Sequence, residues 1–250
     1  MEVVLNLFQE NSQIKKFMKY YFNWKSYWDS KSECGPLIST GRSGSSISDL
    51  HLYLSNTISS LGGVNKKDTI LDAGGGAGYI SMMLSPRVKK IYLCDYSKKM
   101  IKKANKNTAK YKNIEAYSDN IIFLTNSKKK KINFSKSIVG SVLQYLKNYG
   151  EIKKTFKNFF YISKKKTRII FTHNPDLKKK NKFIDGYNRL DWDEKKIKQS
   201  IKFEEKHRFW LDYNKLKKIA LSIGYTKCKK CKINNRLFQS THMFDLLLIK

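Results

Sequence analysis

Ile70-Leu71-Asp72-Ala73-Gly74-Gly75-Gly76-Ala77-Gly78 is the stretch from which the rest of the chain is read. A short apolar run ends on an acid, passes through clustered glycines and enters a helical pattern beginning near Tyr79. Glycines at such a strand-to-helix turn allow a tight reversal and let the backbone approach a ligand closely. The stretch lacks a Gly-Lys-Ser/Thr ending, so it is not a phosphate-binding P-loop. Its spacing is Asp-x-Gly-x-Gly-x-Gly rather than the dinucleotide fingerprint Gly-x-Gly-x-x-Gly. A carboxylate at the strand end repels a pyrophosphate and favours a ligand with positively charged groups.

Working outward, strand and helix patterns alternate, the signature of a mostly parallel sheet covered on both faces. Strands are expected at Thr69 to Asp72, Ile91 to Asp95, Ile114 to Tyr117, Ser137 to Val142 and Arg168 to Thr172. Ile121 to Leu124 competes for the third place. Tyr225 to Cys231 and Met243 to Ile249 are the last two strands, paired antiparallel. Helices are expected near Tyr79 to Leu84, around Met100, Ile101 and Ala104, around Phe156 to Ile162, and from an Asp212 cap to Ser222. Before the motif, Ser48 is read as the cap of a helix that buries Leu50, Leu54, Ile58 and Leu61 and ends at Gly62-Gly63. The expected fold is therefore α/β, a doubly wound, mostly parallel seven-stranded sheet with an antiparallel last strand and helices on both faces. Residues 1–47 form an N-terminal helical flap or lid, in which Ile14, Phe17, Met18, Tyr21 and Phe22 recur at helical spacing. Residues 48–250 form the main domain, with a polar insert at about 174–208.

With this strand–loop–helix context, the chain resembles class I (Rossmann-like) S-adenosylmethionine-dependent methyltransferases over about residues 37 to 250. The resemblance implies S-adenosyl-L-methionine as cofactor and S-adenosyl-L-homocysteine as product. It places Asp72, Ala73, Gly74 and Gly76 against the methionine half, with Gly140 and Ser141 lining the same side. Asp95 ends the second strand, where a carboxylate can accept both ribose hydroxyls; a cap before Tyr96-Ser97 is the plainer alternative. Tyr96 is a candidate for stacking on adenine, and Asp119-Asn120 for accepting its amino group. Arg42 is a candidate for the cofactor carboxylate. The segments Gly41 to Ser48 and Thr241 to Ile249 resemble methyltransferases of bacterial surface-glycan and secondary-metabolite gene clusters, which implies a role in polysaccharide biosynthesis.

The formal charge of +31 calls for a nucleic-acid reading, but arginine supplies only six of the 51 basic residues. Arginine is the residue suited to bidentate phosphate and base recognition, so an anionic small substrate fits the charge equally well. Cys228 and Cys231 have the spacing of half a zinc site, yet Cys34 and Cys94 do not supply the other half, and no metal is expected. No apolar run reaches membrane-spanning length and the N-terminus lacks a signal-peptide pattern, so a cytoplasmic location is expected. The oligomeric state leaves no mark in the sequence.

Methyl transfer mainly requires positioning of acceptor, carbon and sulfur. A hydroxyl or ammonium acceptor also needs a base. His173, directly after the fifth strand, is the candidate base, and Tyr145 is a second pocket candidate. His51, His207 and His242 are weaker candidates. The Asn/Asp-Pro-Pro-Tyr/Phe motif of base-amino methyltransferases is absent after the fourth strand, as is the Pro-Cys setting of carbon-5 cytosine enzymes. The expected activity is thus methylation of an O or N atom of a small molecule, a sugar or surface-glycan precursor, with RNA ribose or base methylation as the alternative.

Overall fold

A computed structural model describes residues 23–42, 45–183 and 192–250. The helical spacing read in residues 14–22, and part of the polar insert, lie outside them.

The seven strands are β1 Thr69–Ala73, β2 Lys90–Asp95, β3 Ile114–Ser118, β4 Lys136–Gly140, β5 Arg168–Pro175, β6 Lys227–Cys231 and β7 Met243–Ile249. They form one sheet in the order β3-β2-β1-β4-β5-β7-β6. Strands β1 to β5 are parallel, and β7 lies antiparallel between β5 and β6. The chain runs outward from β1 through β2 to β3, then returns to place β4 on the other side of β1. That reversal opens a crevice at the carboxyl ends of β1 and β4, where open α/β sheets bind ligands.

The described helices are α1 Trp24–Lys31, α2 Pro36–Ser39, α3 Ile47–Ser60, α4 Tyr79–Leu84, α5 Lys98–Thr108, α6 Thr125–Lys129, α7 Tyr149–Ile162, α8 Glu194–His207 and α9 Tyr213–Ile223. The central strands are buried on both sides. On one face Phe156, Phe159 and Phe171 pack with Leu216 and Ala220 from α9. On the other, Leu50, Tyr53 and Leu54 of α3 pack with Ile80, Leu84 and Ile170.

Several boundaries differ from the sequence expectation. Helix α3 is capped by Ser46, not Ser48. Ser46 Oγ accepts from the Asp49 amide at 3.1 Å while Asp49 Oδ2 accepts from the Ser46 amide at 2.8 Å, a reciprocal capping box. Strand β4 stops at Gly140, because Ser141 turns to φ +57 and a 3-10 turn follows over Leu143–Tyr145. Strand β5 runs on to Pro175 through a bulge between Phe171 and Asn174. The insert therefore starts later than expected, with a 3-10 segment at Leu177–Lys182, and α8 carries its end. Ile121 to Leu124 is a turn, with Leu124 at φ +49.

Cys228 packs in the first core cluster and Cys231 in the second. A strand alternates faces, so residues three apart point to opposite sides of the sheet and cannot share one ion. Among the described residues no helix is long and apolar enough to cross a membrane.

Candidate functional site

The glycine loop folds back over the end of β2. The amides of Gly74 and Gly75 donate to Cys94 O at 2.7 and 3.1 Å. Gly74 sits at φ +75, and a Cβ there would lie 2.5 Å from Val142 Cγ2. Only glycine meets both the dihedral and the space. Gly76, at φ +55, donates its amide to Asp95 Oδ2 at 3.1 Å. The loop borders a cavity of about 1000 Å³, into which Arg42, Asp72, Asp95, Tyr96, Asn120 and Tyr145 converge from five separate segments.

Two buried carboxylates line this cavity. Asp72 Oδ2 accepts from Ser81 Oγ at 2.6 Å, and burial pushes its carboxyl up to about 6. Asp95 Oδ1 accepts from the Ser97 amide at 2.9 Å; burial likewise raises it to about 6, outweighing the amides of Ser97 and Gly76 that favour the anion. Against α3 lies Arg42, only 4% exposed. Its guanidinium stacks 3.7 Å from the centre of the Tyr53 ring, and Nη1 donates to Thr40 O at 2.8 Å. Nε and Nη2 are buried without a hydrogen-bond partner. Tyr53 is fixed in turn by a 2.8 Å hydroxyl contact with Thr172 Oγ1, and a Cβ on Gly140 would lie 2.9 Å from its hydroxyl. A site with two under-compensated carboxylates and an under-compensated guanidinium calls for a ligand that carries both signs of charge.

The remaining sequence candidates divide. Tyr96 lines the wall beside Met100. Asp119 also lines it, but its oxygens are occupied: Oδ2 accepts from the Ser127 amide and hydroxyl at 2.8 and 2.6 Å, and Oδ1 from the Asn120 amide at 2.9 Å. Asn120 Oδ1 accepts from the Ile122 amide at 2.8 Å. Ala73 is fully buried in the core behind the cavity wall.

Tyr145 and His173 do not share the large cavity. Tyr145 packs 4.3 Å from Trp24 and 5.6 Å from Trp28, ring centre to ring centre, and burial raises its hydroxyl pKa. It stands between the large cavity and a chamber of about 90 Å³. His173 faces the small chamber only. The β5 bulge holds it at φ +53, its amide donates to Asp245 Oδ1 at 2.7 Å, and its ring lies 4.8 Å from that of Tyr53. Burial, then the Arg42 charge, drives its imidazole well below the ordinary range, so it is neutral and weakly basic near pH 7. His242 joins it in the chamber and is lowered to about 3 by burial. His51 is exposed on α3, whereas His207 lines the large cavity.

Sequence reasoning missed Tyr53, Arg208 and Asp245. Asp245 is fully buried in the otherwise apolar β7 and is pushed up to about 7 by burial. An acid inside an apolar strand pattern was the available signal. Tyr53 looks like an ordinary core residue of an amphipathic helix and gave none.

The family model described as "Methyltransferase domain" matches residues 64–217. No curated protein matches the chain in sequence. Among solved structures, it is similar to magnesium protoporphyrin IX methyltransferase (ChlM) from Synechocystis PCC 6803 with bound S-adenosylhomocysteine, at TM-score 0.60 and 14% identity, covering 94% of this chain and 99% of that one. The N-methyltransferase NodS from Bradyrhizobium japonicum WM9, in complex with S-adenosyl-L-homocysteine, matches at TM-score 0.56 and 13% identity, covering 92% and 99%. A SAM-dependent methyltransferase from Aquifex aeolicus matches at TM-score 0.56 and 14% identity, again covering 92% and 99%. At these identities the likeness is one of fold.

Proposed function

The chain belongs to the class I S-adenosylmethionine-dependent methyltransferases, and on that premise we propose that its acceptor is an oxygen or nitrogen atom of a small molecule. The observation that carries the residue assignments is the charge pattern of the large cavity. Arg42 Nε and Nη2 suit the cofactor carboxylate, and the buried acids Asp72 and Asp95 suit its cationic and hydroxyl-bearing parts. Asp95 is assigned to the ribose hydroxyls and Asp72 to the methionine half. Gly74, Gly76 and Gly140 keep the wall free of side chains. Ala73 contributes from behind that wall. Tyr96 and Asn120 border the adenine, while Asp119 shapes that loop through Ser127.

When bound, the cofactor supplies a methyl group on a sulfonium, which leaves as a neutral thioether while the acceptor forms the new bond. The chain's own part is chiefly positioning and exclusion of water. Tyr145, its phenol kept protonated by burial, holds a hydrogen bond toward the acceptor. His173 accepts a hydrogen bond at a ring nitrogen. Its low basicity fits a hydroxyl acceptor, because an alkylated hydroxyl is a strong acid and a weak base suffices to take the proton.

A small molecule is favoured because Trp24 and Trp28 of α1 line both cavities and narrow the way between them for a bulky polymer. A sugar or surface-glycan precursor, and with it a place in polysaccharide biosynthesis, fits aromatic walls of this kind. The α1 and α2 region serves as the lid, and a cytoplasmic site of action is part of the same reading. The test is calorimetric titration with S-adenosylhomocysteine beside a salt series of binding to mixed RNA. Tight product binding with RNA binding that salt abolishes supports the proposal. RNA binding that survives salt moves the acceptor to RNA.

A further inference from the structure

We propose that the small chamber receives the hydroxyl-bearing edge of an uncharged ring in the methyl acceptor. The inference rests on the methyltransferase reading above and assigns two recognition residues, Gln239 and Trp210.

The chamber shares Trp24, Trp28, Ser141, Tyr145 and Arg208 with the large cavity, so a molecule lodged in it reaches the place where methyl is delivered. Gln239 comes from the 3-10 turn Phe238–Thr241 just before β7, and Trp210 from the link between α8 and α9. Gln239 is 4% exposed and its Oε1 has no partner; Trp210 is 7% exposed and its Nε1 has none either. Both line the chamber. A buried polar atom without a partner is costly, so the pair is satisfied by something that enters. One unpartnered acceptor atom and one unpartnered donor atom, on two residues that line the same space, match a single hydroxyl, which donates to Gln239 Oε1 and accepts from Trp210 Nε1.

Charge narrows the class. Glu204 is already paired with Arg208, and Arg208 Nη1 also donates to Gln144 Oε1 at 3.2 Å. Lys31, which also lines the chamber, lies 5.3 Å over the Tyr27 ring. Among the described residues that line the chamber, no surplus negative charge awaits a cation, despite the aromatic walls that would suit one. The Gln239 carbonyl oxygen repels an anion. An uncharged group remains. Size narrows it further: a closed cavity of about 150 Å³ is what admits benzene, whereas this chamber offers about 90 Å³. It takes the substituted edge of a ring whose body extends into the large cavity.

All four tryptophans of the chain line this chamber, so intrinsic tryptophan fluorescence reports on it. The full-length protein, saturated with S-adenosylhomocysteine, is titrated with phenol and separately with methyl β-glucopyranoside; toluene serves as the probe without a hydroxyl. The expected result is a saturable fluorescence change with at least one hydroxyl probe and none with toluene. Phenol alone identifies a phenolic acceptor, the glucoside alone a sugar. Gln239→Leu, which keeps the side-chain volume, should weaken the probe about tenfold, the worth of one net hydrogen bond. Trp210→Phe should do the same and guards against a misfolded first variant. Calorimetric affinity for S-adenosylhomocysteine should be unchanged in both. If S-adenosylhomocysteine binds but no hydroxyl probe saturates, or if both variants bind the probe like wild type, the inference is overturned and the cofactor reading stands. If S-adenosylhomocysteine itself fails to bind, the reading beneath the inference falls and takes the inference with it.

Discussion

Replacing Arg42 by Met separates the packing of this side chain from its proposed hold on the cofactor. The guanidinium is buried, stacked on Tyr53 and anchored by one hydrogen bond to Thr40 O, with two nitrogens left over. If Nε and Nη2 hold the cofactor carboxylate, the variant loses two charge-assisted hydrogen bonds of about 1.5–3 kcal/mol each. Taking the lower end, about 3 kcal/mol, the Kd for S-adenosylhomocysteine rises roughly a hundredfold. The ligand-free protein behaves differently. Met keeps most of the stem packing and removes a charge that was expensive to bury, while giving up the Thr40 bond and a cation–π contact of about 1–2 kcal/mol. These terms nearly cancel, so the melting temperature without ligand should move by only a few degrees, on the order expected for ~1 kcal/mol. Calorimetry gives the affinity, and thermal scans with and without S-adenosylhomocysteine give the second quantity. Arg42→Lys, which restores charge but not the planar fork, should recover only part of the binding. An Arg42→Met protein that binds within threefold of wild type would refute the carboxylate assignment.

Three further outcomes follow from the same geometry. Asp72 and Asp95 are both raised to about 6, so ionising them costs the fold nothing below about pH 4, progressively more up to 6, and the full amount above it. A ligand that needs the carboxylates gains in the opposite sense: its affinity should be full above pH 7 and fall at least tenfold by pH 5, measured by calorimetry, and Asp95→Asn should weaken binding and flatten that curve. His173→Asn keeps a residue type that tolerates the positive φ, so stability should change by no more than ~1 kcal/mol while turnover drops with product binding intact; unchanged turnover removes His173 from the mechanism. Gly74→Ala places a methyl 2.5 Å from Val142 Cγ2 at φ +75 and should cost about 2–4 kcal/mol in denaturant unfolding, with Val142→Ala relieving part of the loss; an additive pair would sink the steric explanation.

The fold was readable where hydrophobic period and turn chemistry agreed. Strand β1, the glycine loop, Asp95 and the Asp212-capped α9 all announced themselves locally. Ser46 lost to Ser48 in the reading because both are serines near a helix start, and only the reciprocal bond with Asp49 distinguishes them. The end of β4 was misplaced because nothing in Ser141-Val142 signals a positive φ. The same is true of the bulge at His173, where β5 continues through residues that read as loop. Most of the residues proposed for the cofactor could be nominated from the sequence because Asp72, Gly74, Gly76 and Asp95 follow one another around a single motif. The residues proposed for the acceptor could not be nominated that way, since Tyr145, Arg208, Trp210 and Gln239 come to line one chamber only after the chain has packed, and no spacing rule links them.

Strand β6 forms one rim of the sheet, and its sequence Lys-Cys-Lys-Lys-Cys buries both thiols while leaving Lys227, Lys229 and Lys230 at the surface. An open rim offers unpaired amides and carbonyls to any extended chain that drifts past. Lys230 Nζ is paired with Asp176 Oδ2 at 2.6 Å, so such a chain would have to press against the ammonium groups of Lys227 and Lys229, strip their water and pack beside like charge if it came from another copy. Lys227 and Lys229 thus act locally as a fence, keeping the outer strand of the ladder from recruiting its neighbours in a crowded solution.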